Sequence, residues 1–542
     1  MSIERHERRA TPLPTRQGAF MALLLCLLSA GTLVSAAASA QSSAVRTAEA
    51  PTRGVPGRAS TANDLPDIGT PADATLNRSD EYQIGRMIVR GLRDQGQILD
   101  DPEISDWIQN LGSKIAAQAQ DGGQRFQFFV VRDPGINAFA LPGGFIGVNQ
   151  GLITATANES QLASVLAHEI AHVTQRHIAR SIRAQGRQSL ASAAAILAAI
   201  LIGAAAGGGS DAVQAGIAIA QGTAAQQRIN FTRANEYEAD RVGISFLAAA
   251  GYDPHGMPDF FETLSRRMGL SGSQVPEFLR THPVNSNRIA ESRDRAAQFP
   301  KPRLAESPAY SFARERVRVV GSPPDSDLRP YYAALRDQRP LTSGEQYGEA
   351  LAMLAAGQAK SSVGALIELS GQTPGSPMLQ SGLGQALFAA GRQAEALDSL
   401  SEALKIAPRN VPLSIRYAEI LMNTGRAKEA HEVLLDVFNN VTPTADQIRL
   451  TALAASAAGD TGDAYYYMSE YHISAGDLPL AMRQLEMALA APNLTSVQRA
   501  RFAARLKEIR DFLAEQPRRR PRDRSESEES DEPPVVQRTR LD

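Results

Sequence analysis

Cysteine is almost absent from this chain of 542 residues, which contains only Cys26. A single thiol excludes a disulfide framework and any metal site built from several thiolates. Cys26 lies within the apolar stretch 20–34, which follows several arginines and precedes Ala-Ser-Ala at 38–40. This order is typical of a secretory signal peptide, so we predict cleavage after Ala40 and a mature chain without a thiol. An uncleaved membrane anchor is the main alternative.

Net charge of one sign is also lacking, since the formal charge is -2. A nearly neutral chain has no electrostatic footprint for nucleic acid. Long apolar runs are scarce after the signal, and the longest is the uncharged stretch Leu190–Ala206. A helix needs about 20 apolar residues to span a bilayer, and this stretch is shorter and consists mainly of alanine. We therefore favour helices buried in the protein, or a peripheral contact with a membrane surface, over a spanning segment.

Composition and periodicity divide the chain into folded and unfolded parts. Hydrophobic residues make up 43% of the sequence, which is enough for more than one core. The predicted parts are a signal peptide at 1–40, a disordered leader at 41–73, a first folded domain at 74–300, a linker at 301–342, a helical-repeat domain at 343–513 and a disordered charged tail at 514–542.

The first folded domain contains a helix with the pattern of a metal site, Leu162–Arg176. His168 and His172 are four residues apart, so their imidazoles lie one above the other on the helix and can bind one divalent ion. Glu169 lies beside them and can take a proton from water that the metal activates. The pattern predicts zinc-dependent peptide hydrolysis, whereas two ordinary helix histidines with a salt-bridging glutamate are the alternative.

A catalytic zinc site needs a third protein ligand, and a later acidic helix can provide it. Glu236 and Asp240 are four residues apart and share a face of this helix. One carboxylate can bind zinc while the other orients a ligand histidine. We expect Glu238 to point elsewhere. His177, five residues after His172, is expected to be structural.

A small sheet is predicted before the zinc helix. Two amphipathic helices, 80–94 and 102–118, lead to a strand at 124–132 and to a hairpin at 138–149 that is broken by Pro-Gly-Gly. An edge strand beside a metal can pair with the backbone of a substrate. The residues predicted for this task are Phe145, Ile146, Gly147 and Val148. A hairpin that only covers the core is the alternative.

Four motifs in this order resemble a known family. They are Leu141–Gly144, His168–His172, Glu236–Asp240 and Thr281–Arg288, and they resemble the zinc metallopeptidases that include HtpX and the CAAX prenyl proteases. The likeness extends over about 65–513 and is greatest to a periplasmic branch that ends in helical repeats. Paired membrane-spanning helices are not evident, which favours this branch over HtpX.

The resemblance implies a role for each motif residue. His168, His172 and Glu236 would bind one Zn²⁺ per chain, with Glu169 as the general base and Asp240 as the partner of a ligand.

Two more residues receive roles from the resemblance alone. His282 would lie on a loop over the site and could occupy the open metal position in a latent state, and Arg288 would help to stabilise the oxyanion.

The second half of the chain repeats every 34 residues, as shown by Gly357, Gly391 and Gly425. This period, with small and apolar residues at fixed offsets, is that of tetratricopeptide repeats. We predict four helix pairs, with an inserted helix at 450–459. Stacked pairs leave a concave face for a partner.

The predicted fold is an α+β, gluzincin-like zinc metallopeptidase domain followed by an all-α tetratricopeptide-repeat solenoid. The resemblance implies a periplasmic endopeptidase that degrades unfolded or misassembled outer-membrane β-barrel proteins, with the outer-membrane β-barrel assembly machinery as partner of the repeats. The alternative is a chaperone or scaffold of that machinery with latent protease activity. An unrelated zinc aminopeptidase is a weaker third possibility.

Overall fold

The computed structural model describes residues 77–119, 124–184, 233–271, 276–300, 302 and 307–515. The predicted signal peptide and leader, the stretch Leu190–Ala206 and the tail after residue 515 lie outside the described residues. Among the helices in the described ranges, none has the length and apolarity needed to cross a membrane.

The described chain begins with two amphipathic helices, α1 (Arg78–Asp94) and α2 (Pro102–Ala116), close to the predicted bounds. Asp101 caps α2, because its carboxylate accepts a hydrogen bond from the amide of Ile104. Trp107 on α2 is buried, so the helix turns its apolar face to the core as expected.

Three strands form the sheet: β1 (Gln127–Val131), β2 (Ala138–Leu141) and β3 (Phe145–Asn149). The predicted hairpin is confirmed, since β2 and β3 are antiparallel. Strand β1 pairs in parallel with the other side of β3, so β3 lies in the centre of the sheet. Gly143 and Gly144 make the hairpin turn with φ of 81° and 86°, which glycine adopts readily.

Helices surround the sheet on the side of the metal motif. They are α3 (Gln150–Ala155), α4 (Glu159–Thr174), α5 (His177–Ala184), α6 (Arg233–Ala249), α7 (Gly256–Ser271), α8 (Glu277–Thr281) and α9 (Ser286–Ala296). Helix α4 is the central one, because it packs against α2, α6, α7 and β2. Leu162, Leu166 and Ile170 of α4 are fully buried in the shared core. The metal motif is therefore held in the interior of this domain.

The segment predicted as a linker contains two helices that pack against neighbouring parts of the chain. It contains α10 (Pro308–Gly321) and α11 (Arg329–Gln338). Tyr310 and Val317 of α10 belong to the core of the first domain, whereas Phe312 belongs to the core of the repeats. Apolar residues on both sides of one helix explain why α10 joins the two cores.

The repeat half contains five consecutive helix pairs between residues 343 and 515. They are α12 (Ser343–Ala355) with α13 (Ala359–Gln372), α14 (Pro377–Ala389) with α15 (Gln393–Ile406), α16 (Val411–Asn423) with α17 (Ala427–Phe438), α18 (Ala445–Ala457) with α19 (Thr461–Ala475), and α20 (Leu478–Ala490) with α21 (Ser496–Glu515).

The prediction of four pairs with an inserted helix is wrong by one pair. Gly459 follows Gly425 by 34 residues and occupies the same left-handed turn, with φ of 83° and 79° respectively. The supposed insertion is therefore the first helix of a regular pair.

Candidate metal centre

The metal motif lies on a helix with almost no exposure to solvent. Asn158 caps the N-terminus of α4 by accepting a hydrogen bond from the amide of Gln161. His168, Glu169 and His172 are each at most 2% exposed. Polar side chains that are this buried usually have hydrogen-bond or ionic partners. The residues around these three side chains therefore determine the chemistry of the site.

Side chains from two helices and a loop converge on one point. The Nε2 atoms of His168 and His172 are 2.9 Å apart. Glu236 on α6 places its carboxylate oxygens 3.5 Å from each of these nitrogens. His282, which follows α8, lies with Nδ1 3.1 Å from Glu236 Oε1 and 3.4 Å from His168 Nε2.

Close packing between α4 and α6 makes this convergence possible. Gly243 of α6 lies against α4, where an added Cβ would be 3.1 Å from the backbone of Ala167. A larger residue at 243 would move Glu236 away from the histidines. The absence of a side chain at Gly243 thus permits the close approach of α6 to α4.

The four side chains fit a divalent metal. One ligand atom from each of His168, His172, Glu236 and His282 lies within 4.8 Å of the others, and all four residues are buried. Two imidazole nitrogens that face each other beside a buried carboxylate form the nitrogen and oxygen donor set preferred by zinc and similar ions. His168 Nδ1 lies 3.0 Å from Asp240 Oδ1, which orients the ring with Nε2 toward the cluster.

The electrostatics of the cluster concentrate negative charge on its carboxylates. Burial opposes ionisation of Glu236, but His282 and His168 lower its pKa well below the usual value. Burial also lowers the pKa of His168, yet Asp240 and Glu236 outweigh it and raise that pKa to about 9. A cation at this point is therefore favoured.

Glu169 is placed as a proton acceptor. Neither carboxylate oxygen has a hydrogen-bond partner among the described residues, and Oε1 lies 3.6 Å from His282 Nε2. Burial raises the pKa of Glu169, and the neighbouring His282 and His168 partly offset this increase. A buried carboxylate with a raised pKa suits general acid and base chemistry near neutral pH.

Arg288 is placed differently from the expected oxyanion role. Its guanidinium donates to both oxygens of Asp240 at 2.7 and 2.8 Å and to the carbonyl of Pro283 at 2.8 Å. It also lies 2.8 Å from Glu236 Oε2 and is 1% exposed. Since these partners occupy the guanidinium, the geometry indicates that Arg288 holds Asp240 and Glu236 in position.

The expectation that Phe145, Ile146, Gly147 and Val148 form an edge strand is wrong. These residues form the central strand β3, which is buried and whose backbone already pairs on both sides. Strands β1 and β2 lie at the two edges of the sheet, and β2, Ala138–Leu141, also packs against α4. The parallel pairing of β1 with β3 causes this difference, and no local sequence signal specifies it.

Of two residues that were expected to lie away from the metal, His177 contacts a ligand histidine and Glu238 contacts His177. His177 Nδ1 is 2.8 Å from His172 Nδ1, and His177 Nε2 is 3.1 Å from Glu238 Oε2. Helical spacing alone places His177 on another face. The backbone at Arg176, with φ of 54°, turns the chain and brings His177 back.

Comparison with protein-family models matches one segment in each half of the chain. Residues 102–296 match the model of peptidase family M48, and residues 387–453 match that of a tetratricopeptide repeat. These matches and the helices described above confirm the predicted fold class, a metallopeptidase domain followed by helical repeats.

Curated relatives carry related names. The chain is 42% identical over 297 residues, 54% of its length, to a putative beta-barrel assembly-enhancing protease of Vibrio cholerae, and 38% identical over 307 residues, 55% of its length, to the beta-barrel assembly-enhancing protease of Escherichia coli. Each alignment spans 60% of the relative's length. The mitochondrial metalloendopeptidase OMA1 of Arabidopsis thaliana is 33% identical over 198 residues, 36% of each chain.

Proposed function

We propose that this chain, whose catalytic half matches peptidase family M48 and whose second half is built of tetratricopeptide repeats, is a zinc metalloendopeptidase. The convergence of His168, His172 and Glu236 beside the unpartnered carboxylate of Glu169 is the observation that carries this proposal. Three protein ligands and a free proton acceptor are the components of a zinc hydrolase.

Zinc at this site would supply Lewis acidity, polarising the scissile carbonyl and activating water at neutral pH. His168, His172 and Glu236 would hold the ion, while Asp240 and Arg288 keep two of these ligands oriented. Glu169 would accept a proton from the attacking water and deliver it to the leaving amine. The edge strand β2 would align an extended peptide by backbone pairing, which selects for chain geometry more than for sequence.

His282 would regulate the site. Its Nδ1 lies next to Glu236 and His168, where it can take a fourth ligand position, and the ring is buried beneath Phe278 at a centroid distance of 4.9 Å. A fourth protein ligand closes the position that a substrate needs. The enzyme would therefore rest in a latent form until the loop after α8 moves.

The substrates would be misassembled outer-membrane β-barrel proteins, in a periplasmic location. The names of the two bacterial relatives support this assignment. The repeat half would bind the outer-membrane β-barrel assembly machinery, because stacked helix pairs present an extended surface to a protein partner. Latency through His282 also supports a second candidate, a chaperone or scaffold of this machinery in which proteolysis is rare.

Metal content and casein cleavage of the purified protein and of Glu169→Gln test the proposal. We expect one equivalent of zinc in both proteins and cleavage only in the native one, with a loss of at least about 100-fold in Glu169→Gln. Glu402→Gln, on the exposed face of α15, is the matched control and should cleave normally. Absence of bound metal, or equal cleavage by Glu169→Gln, would contradict the proposed function.

A further inference from the structure

A histidine outside the metal cluster lies against the rear nitrogen of one ligand. His177, at the start of α5, is completely buried, and its Nδ1 is 2.8 Å from Nδ1 of His172. The opposite nitrogen of the same ring, Nε2, is 3.1 Å from Oε2 of Glu238. Glu238 lies on α6, the helix that also carries Glu236. A line of contacts thus runs from Glu238 through His177 to His172.

Only one placement of protons satisfies these contacts when His172 binds a metal through Nε2. The proton of His172 must then be on Nδ1, so His177 Nδ1 has to accept it. His177 consequently carries its own proton on Nε2 and donates it to Glu238, which is an acceptor when ionised.

The backbone is bent to make this contact. Continued helical geometry would place His177 about 140° around the axis from His172, out of reach. Arg176 adopts φ of 54°, a left-handed conformation that is unfavourable for a residue other than glycine. Its guanidinium is held by Glu81 Oε1 at 3.1 Å. The turn that brings His177 to His172 is thus maintained against an intrinsic preference.

The two ligand histidines are therefore supported in different ways. His168 has a carboxylate, Asp240, at 3.0 Å from Nδ1. His172 has a neutral imidazole at 2.8 Å, and the carboxylate stands one ring further away. Such partners fix the tautomer and the ring orientation of a ligand, and their removal typically weakens metal binding by about 10- to 100-fold.

We propose that His177 is a positioning residue for His172 and that Glu238 fixes the orientation of His177. This inference depends on the metal site of the proposed function. The alternative is that His177 only fills space between α4 and α6. If His177 positions His172, a substitution must keep a hydrogen-bond acceptor at the position of Nδ1 to retain zinc affinity. If His177 only fills space, a substitution must keep the volume of the ring.

Zinc affinity, measured by competition with a chromophoric chelator, separates these possibilities in the full-length protein. His177→Leu preserves much of the volume without an acceptor, and we expect its affinity to be about 10- to 100-fold lower than native. The side-chain oxygen of His177→Asn lies near the position of Nδ1, so this variant should recover most of the loss. Native affinity in a folded His177→Leu, or equal losses in both variants, would overturn the inference.

Substitution of Glu238 provides a second test that disturbs the core less, since its side chain is 36% exposed. Glu238→Ala should weaken zinc binding by about 10-fold. Arg180→Ala is the control. Arg180 contacts the same Glu238 oxygen at 3.0 Å but is not part of the line of contacts from Glu238 through His177 to His172, so the zinc affinity of this variant should be native. Equal affinity of Glu238→Ala and native would remove Glu238 from the proposal. Failure of the native protein to bind zinc would overturn the proposed function together with this inference.

Discussion

Arg416 of repeat helix α16 binds Glu103 of α2 through two hydrogen bonds, Nε to Oε1 at 2.9 Å and Nη2 to Oε2 at 2.7 Å. Arg316 of α10 donates to the same carboxylate at 2.9 Å, and the hydroxyl of Ser381 donates to it as well. Burial opposes ionisation of Glu103, but the two guanidinium groups lower its pKa far below the usual range. A buried ionic group therefore connects the catalytic domain to the repeats.

Removal of Arg416 should weaken this connection. Arg416→Ala leaves Glu103 with one guanidinium in a buried site, and we expect the free energy of unfolding to fall by about 3 kcal/mol. The measurement is urea denaturation followed by circular dichroism. Arg426→Ala breaks an exposed ion pair with Glu429 and should change stability much less than Arg416→Ala does. Equal effects of the two substitutions would contradict the importance of the buried junction.

Asp106 of α2 should make stability depend on pH. Burial and the charge of Glu103 raise its pKa to about 6, above the usual value of an aspartate. The folded state thus holds a proton that the unfolded state has released, so this contribution to stability is complete below about pH 4 and is lost as pH rises through 6. Asp106→Asn should be more stable than native at pH 7.5, by at most about 3 kcal/mol, and comparable to native at pH 4. Urea denaturation at both pH values measures this, with the exposed Asp398→Asn as control. A stability gain of the same size at both pH values would be inconsistent with the titration.

His282 should limit the basal activity. His282→Ala removes the fourth potential ligand while His168, His172 and Glu236 remain, so we expect zinc to be retained and casein cleavage to increase several-fold. His255→Ala, at a partly exposed histidine paired with Asp253, is the matched control and should behave as native. Cleavage by His282→Ala at or below the native rate would show that this residue does not impose latency.

Gly459 should be required for the turn of the fourth helix pair. Its φ of 83° is unfavourable for a residue with a side chain, so Gly459→Ala should reduce the free energy of unfolding by about 1 kcal/mol. Gly364 lies within α13, where an added Cβ meets no atom within 4 Å. Gly364→Ala should instead increase stability by about 0.5–1 kcal/mol, because alanine favours a helix. Thermal denaturation of the two variants tests this difference in sign.

Local patterns were sufficient to predict the helices and the centre of the site. The spacing of His168 and His172, and that of Glu236 and Asp240, depends only on helical geometry, and the structure brings all four together. The hairpin followed from its Pro-Gly-Gly turn. The 34-residue period also predicted the repeats, although Gly459 was assigned to an insertion because its flanking residues match the repeat less well.

Errors arose wherever long-range pairing or a local backbone exception decided the result. The strand at the sheet edge depends on β1, which is distant from the hairpin turn and pairs in parallel with β3. The position of His177 depends on the left-handed backbone conformation of Arg176, which cannot be predicted from an arginine in the sequence. Arg288 depends on partners contributed by α6. Helical periodicity contains no information on any of these contacts.

Helix α10 has a further consequence for how this protein can evolve. Tyr310 and Val317 are buried in one core and Phe312 in the other, so the same helix of about four turns completes both. If the repeat half were exchanged for repeats that bind a different partner, the new repeats would have to keep the apolar residues that pack around Phe312. The array is therefore not an interchangeable module, and recombination near residue 343 would leave an exposed apolar surface on both fragments.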